Sequence, residues 1–205
     1  MSTVCKIYVA SDDVEKINSY LEEYLQKEYS CDTESIETEW PLATEFDSFN
    51  SGDETPTIYS YKREGSLVEI YFNSFSENED LAKHLSQELK TITTVSIYQS
   101  TAESGCWLYF SSGEKIRHIL FMEGSPEEIH GDRLSFENNP IGHNIGEESD
   151  PYYVFDLEEI DFYNESIGIA IPMYNEPKPD WVNIRVKTIT PSLQKENKKP
   201  WWKLW

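Results

Sequence analysis

The side chains able to carry chemistry are abundant acids, four histidines and three cysteines, and their spacing decides what they can do. Glu127, Glu128, His130 and Asp132 form the densest His-plus-acid cluster, with His143 further along the chain. Imidazoles and carboxylates at that density suit a divalent metal, and a metal-dependent hydrolase would use His130, Asp132 and His143. The run lacks H-E-x-x-H, a 2-His-1-carboxylate spacing and C-x-x-C, so such a site would draw its ligands from separate segments. Asp12-Asp13, Glu22-Glu23 and Glu147-Glu148 are paired carboxylates in polar stretches, where both members would simply ionise. General acid–base work needs an apolar setting that drives two pKa values apart.

Nucleophile motifs are missing as well. Ser104-Gly105-Cys106 precedes a strand instead of marking a strand-to-helix elbow, and no glycine-rich phosphate loop occurs. His118 falls on the apolar Ile116, Leu120 and Met122 side of its strand, where a half-buried histidine with one hydrogen-bond partner is expected. Its neighbour Arg117 projects oppositely, toward an acid. Cys5, Cys31 and Cys106 are odd in number and widely spaced, which reads as buried thiols and neither a disulfide framework nor a zinc site. The chain is expected to be non-enzymatic and to need no cofactor.

Charge is the strongest compositional signal. Thirty-eight acids against seventeen Lys/Arg give −21. From Lys178 onward seven Lys/Arg face two acids, which leaves −26 on residues 1–177. That field repels phosphate backbones and argues against nucleic-acid binding. It favours encounter with a basic protein, although it also serves solubility.

The elements that would position these groups follow from periodicity. Val4–Ala10 reads as a strand, and Asp12 with Glu15 has capping-box spacing for a helix with Val14, Ile17, Leu21, Tyr24 and Leu25 on one face. Residues 30–56 are polar and acidic and read as either an ordered surface excursion or a partly mobile one. Strands at 57–63 and 67–72 meet across Glu64-Gly65. Ser76 with Glu79 then opens a second helix striped by Leu81, Ala82, Leu85, Leu89 and Ile92, followed by a strand at 94–100. Lys6-Ile7-Tyr8-Val9 echoes Glu69-Ile70-Tyr71-Phe72. The order predicts an α+β fold with a ferredoxin-like β-α-β-β-α-β sheet, extended by the hairpin 106–122 and followed by an irregular C-terminal region. Within that region Ser125-Pro126-Glu127-Glu128 reads as a short helix start, and Asp156 with Glu159 caps another helix. Trp181–Ile189 alternates like a strand. Residues 1–122 would be the core domain, 123–190 an extension packed on it, and 191–205 a basic tail.

In that tail Lys199, Trp201, Trp202 and Trp205 combine cations with indoles. The combination suits an interfacial membrane anchor, a partner's groove or, as the favoured reading, docking back onto the acidic body. No run is long and apolar enough to be a transmembrane segment, and the first residues lack signal-peptide features, so the expected location is cytoplasmic.

One resemblance adds to this. Asp80–Met122 reads as a helix Leu81-Ala82-x-x-Leu85-Ser86-x-x-Leu89, a strand, the aromatic strand Trp107-Leu108-Tyr109-Phe110, a Ser112-Gly113 turn and a further apolar strand. This run, about a fifth of the chain, resembles a segment of uncharacterised acidic bacterial proteins, some of them similar to immunity proteins encoded beside secreted polymorphic toxins. The resemblance implies a non-enzymatic bacterial protein and assigns no binding residue. The expectation is thus an acidic protein-binding module of the immunity type that neutralises a basic toxin or nuclease. Its contact surface would be the acidic first third: Asp12, Asp13, Glu22, Glu23, Glu34, Glu37, Glu39 and Trp40. A small-molecule-sensing regulatory domain, with paired ferredoxin-like sheets holding a ligand between them, is the alternative from another class. The sequence leaves the oligomeric state open.

Overall fold

The computed structural model describes residues 3–29, 31–39, 41, 58–72, 78–171 and 181–189. Among them a mostly antiparallel sheet and three helices make a mixed α+β fold. In chain order the elements are β1 (Thr3–Val9), α1 (Val14–Tyr29), β2 (Cys31–Thr38), β3 (Ile58–Glu64), β4 (Leu67–Phe72), α2 (Asn78–Leu89) and β5 (Ile92–Gln99). Then come β6 (Ser104–Ser111), β7 (Glu114–Met122), β8 (Ser125–His130), β9 (His143–Asn144), β10 (Tyr153–Val154), α3 (Leu157–Ser166) and β11 (Trp181–Ile189). The strands order as β2-β11-β3-β4-β1-β5-β6-β7-β8, with β9 and β10 forming a separate two-stranded ribbon.

Strand alternation splits the nine-stranded sheet into two differently built faces. Cys5, Ile7 and Val9 of β1, Val68, Ile70 and Phe72 of β4, and Val95 and Ile97 of β5 point to the first face. There they pack against Ile17, Leu21 and Leu25 of α1 and Leu81, Ala82 and Leu85 of α2. The i, i+3/i+4 stripe of each helix is what lands on the sheet, and each fully buried Leu or Ile contributes about 1.5–3 kcal/mol. Asp13, one residue after the expected cap, holds the start of α1: its Oδ1 accepts from Lys16 N at 3.1 Å. Ser76 lies outside the described residues.

The second face is covered over β5–β7 by α3 and the segments around it. Trp107, Ile119 and Phe121 meet Ile141, Phe155, Ile160 and Tyr163. Asp156 caps α3 by accepting from Glu159 N at 3.1 Å, as its spacing predicts. Trp107 Nε1 donates to Asn164 Oδ1 at 2.9 Å, and Asn164 Nδ2 donates to Ser96 Oγ at 3.0 Å, which fixes the helix in one position along the strands.

Three segments differ from the sequence expectation. Ser125–His130 is a strand and not a helix start. Glu123 and Gly124 both adopt positive φ, 48° and 80°, so they form the tight primed turn that sends the chain straight back along β7. Cys31–Thr38, inside the expected polar excursion, is a sheet strand held by β11 about 150 residues later in the chain. The C-terminal region is also far from irregular, because it supplies β8, the β9–β10 ribbon, α3 and β11. Segments on both sides of residue 122 therefore hydrogen-bond into one sheet.

Candidate functional site

The predicted acidic surface separates on inspection of its partners. Asp13 is committed to capping α1. Glu22 accepts from Ser35 Oγ at 2.9 Å, and Glu34 lies 2.5 Å from Arg185 Nε, so both are held by β2 and β11. Glu23, Glu37 and Glu39 are exposed. Glu22 and Glu37 converge near Tyr61, whose hydroxyl donates to Asn18 at 2.9 Å. Burial, followed by the fields of those two carboxylates, pushes the Tyr61 phenol up to about 12. Asp12 and Asp13 precede the first turn of α1, roughly 15 Å along the helix from Glu22 and Glu23 at 1.5 Å per residue. Trp40, Lys199, Trp201, Trp202 and Trp205 lie outside the described residues.

The metal-hydrolase residues do not converge. His130 stands opposite His118 in the β7–β8 register, and Asp132 follows it on the surface. His143 instead faces the start of α3, 3.7 Å from Asp156 and 3.9 Å from Glu159. Among the described residues no group of three or more His, Cys, Asp or Glu is disposed to hold a metal ion.

Sequence spacing gave no hint of a thiol, an imidazole and a carboxylate aligned across three neighbouring strands. Cys106 Sγ of β6 lies 3.8 Å from His118 Nε2 of β7, and His118 Nδ1 lies 3.2 Å from Glu128 Oε1 of β8. The second contact is off the hydrogen-bond axis, so Glu128 acts on the ring chiefly through charge. A nucleophilic cysteine must be a thiolate. Here burial, reinforced by Glu79 and Glu128, pushes the Cys106 thiol up to about 12. Burial also lowers the His118 pKa against the pull of Glu128. Thiol and imidazole are both neutral, which gives a weak S–H···N contact and no activated nucleophile. Cys5 is likewise buried and free. It sits on β1, with β5 between it and β6, too far for a disulfide to Cys106.

The second face carries two buried ion pairs. The echoed segments of β1 and β4 run side by side, with Lys6 opposite Tyr71 and Tyr8 opposite Glu69. Lys6 Nζ lies 2.9 Å from Glu69, donates to the Tyr8 hydroxyl at 3.2 Å and stands 4.8 Å from the Tyr71 ring centre. Burial opposes the Lys6 charge, but Tyr8, Glu69 and Tyr71 outweigh it and raise its pKa. Nearby, Asp161 of α3 keeps a buried oxygen without a hydrogen bond, and burial lifts its carboxyl to about 6 despite Lys6. Further along, Arg117 pairs bidentately with Glu137, at 2.8 Å and 2.5 Å, and donates to the backbone oxygens of His130 and Gly131. This pair fastens the chain after β8 to the sheet. Both arrangements are internally satisfied scaffolding.

The cap on the second face is strongly unbalanced in charge. Residues 134–171 hold nine Asp/Glu and no Lys or Arg. Glu137 is the one neutralised by an arginine from β7, while Glu147, Glu148, Asp150, Glu158 and Glu165 are exposed. Three of the four large apolar side chains that stand exposed among the described residues, Ile145, Tyr152 and Phe162, belong to the same cap. Comparisons with protein-family models, curated proteins and solved structures give no match to this chain.

Proposed function

We propose that this protein is a non-enzymatic binding module for a basic protein, of the type that inhibits a cationic effector such as a toxin or nuclease. The observation that carries the reading is the cap over residues 134–171, with nine carboxylates, no Lys or Arg and exposed apolar side chains among them. Steering by such a field accelerates encounter, and apolar contacts then hold the complex. The inert Cys106–His118 pair and the internally satisfied ion pairs are consistent with a scaffold that binds without performing chemistry. Within the cap Glu137, Asp156 and Glu159 are engaged within the fold, while Glu147, Glu148, Asp150, Glu158 and Glu165 are exposed.

A ferredoxin-like core belongs to the same reading. It is supported by the order β3-β4-β1-β5 and by the packing of α1 and α2 on one face. A cytoplasmic setting is supported by the free thiols of Cys5 and Cys106.

The test is association kinetics with the protein that co-purifies from the native cell. The association rate should fall about tenfold or more between low salt and roughly 0.5 M salt, because screening shortens the reach of the field. A neutral or acidic partner, or a rate indifferent to salt, would remove the basis of the reading.

A further inference from the structure

We infer that the partner docks on one end of the sheet, where Ile145 and Tyr152 form an apolar centre inside a ring of carboxylates. This rests on the binding-module reading and gives it a location. Ile145 N donates to Tyr152 O at 2.8 Å, continuing the β9–β10 ladder by one residue pair. Directly opposed residues of an antiparallel pair present their side chains on the same side, so the two form one apolar unit. Ile145 is 60% exposed and Tyr152 37%. Around them stand Glu147, Glu148 and Asp150 of the same loop, with Glu103 from the β5–β6 turn and Glu123 from the β7–β8 turn. Loop residues 145–152 and turn residues 101–103 and 123–124 contain no Lys or Arg.

The loop is held in shape before any partner arrives. Asn144 Oδ1 accepts from Gly146 N at 2.9 Å and Tyr152 N at 3.0 Å, and Asp150 N donates to Glu147 O at 3.0 Å. A Cβ at Gly146 would come within 2.4 Å of Asp150 O, so the turn closes only around glycine. The Tyr152 ring lies over Gly124, where a Cβ would meet Cε2 at 2.7 Å, and its hydroxyl donates to Glu103. The ribbon tip is thereby fastened to two sheet turns. Ile145 makes no comparable contribution to the fold, since most of its side chain is in water.

Pre-organised loops avoid the ordering cost of association, and an apolar centre with a charged rim is the usual anatomy of a binding hot spot. The charge selects the occupant. A second copy would bring the same five acids against these five, and an anionic lipid surface would be repelled in the same way. A Lys/Arg-rich protein surface with an apolar side chain to meet Ile145 is complementary.

The test is a nitrogen-15 NMR titration of the full chain with a short peptide alternating Arg and Leu, with a Glu–Leu peptide as control. The expected result is shifts at the amides of 145–150, 152, 103 and 123–124 for the Arg–Leu peptide alone. Ile145→Ser should weaken its binding by about tenfold with the melting temperature unchanged. Glu147→Lys with Glu148→Lys should abolish it. Shifts confined to Glu22, Glu23 and Glu37 would overturn the location and leave the binding-module reading standing. Shifts spread over all exposed acids, with Ile145→Ser silent, would overturn the apolar centre. Concentration-dependent shifts at 145–152 without peptide would make a second copy the occupant and overturn the proposal. Equal response to both peptides, or none, would bring down the binding-module reading as well.

Discussion

The two faces of the sheet are assembled by different means. The α1–α2 face is a largely apolar layer to which each helix contributes a regular stripe. The α3 face is aromatic and polar: Trp107–Asn164–Ser96 and Arg117–Glu137 fasten its cover at discrete points, while Lys6–Glu69 ties the neighbouring strands β1 and β4. Apolar layers are non-directional and tolerate sliding, whereas each polar fastening is satisfied in one register only. A few fastenings therefore suffice to hold a cap whose remaining carboxylates are left for solvent or a partner.

The contrast can be broken most sharply at Arg117. Arg117→Met would strand the Glu137 carboxylate, buried at 4% exposure, and should cost about 3–5 kcal/mol in urea unfolding. Adding Glu137→Met should recover most of that loss, because the stranded charge is gone. Leu21→Ala on the other face should cost about 2–5 kcal/mol through a cavity, with no second substitution that restores it by removing a charge. If the Arg117→Met and double variants are equally unstable, the polar fastening is not what secures the cap.

A smaller effect concerns Asp161. Its pKa is raised from 3.8 to about 6, so between those values the folded state keeps a proton that the unfolded chain has released. Stability from this group is thus present at low pH and lost as pH rises through about 6. His118 works in the opposite sense. Burial lowers its pKa, so the unfolded chain takes the proton first and stability falls as pH drops below the ordinary histidine value of 6.5. Asp161→Asn isolates the first effect. With its partial exposure discounted for screening, it should stabilise by of order 1 kcal/mol at neutral pH and by nothing near pH 4. A destabilised Asp161→Asn protein at neutral pH would show that the carboxylate is favourably paired.

The same contrast explains what the sequence made legible. The stripes Ile17, Leu21, Leu25 and Leu81, Leu85 each repeat within one helix, and Ser112-Gly113 is a local turn signal, so the first face and the β6–β7 hairpin could be anticipated. The Lys6–Tyr8 echo of Glu69–Tyr71 was visible, but only antiparallel pairing turns it into an interlocked cluster. Cys31–Thr38 has no apolar alternation because it is an outer strand of the sheet, and its partner β11 is remote in sequence. Ser-Pro-Glu-Glu suits a helix start equally well until the Glu123-Gly124 turn forces a strand. In the sequence Glu147-Glu148 reads as a solvated pair and Asp156 with Glu159 as a helix cap. That Glu147, Glu148, Asp150, Glu158 and Glu165 belong to one cap depends on α3 and the β9–β10 ribbon being brought over the sheet.

Zero-length carbodiimide cross-linking in extracts of the native cell tests the central claim most directly, because it joins only carboxylates and amines already in contact. The account predicts links from Glu147, Glu148 or Asp150 to lysines of a basic protein, lost at high salt and sharply reduced in Ile145→Ser. Links that map to other carboxylates alone, or that persist unchanged in high salt and in Ile145→Ser, would contradict it.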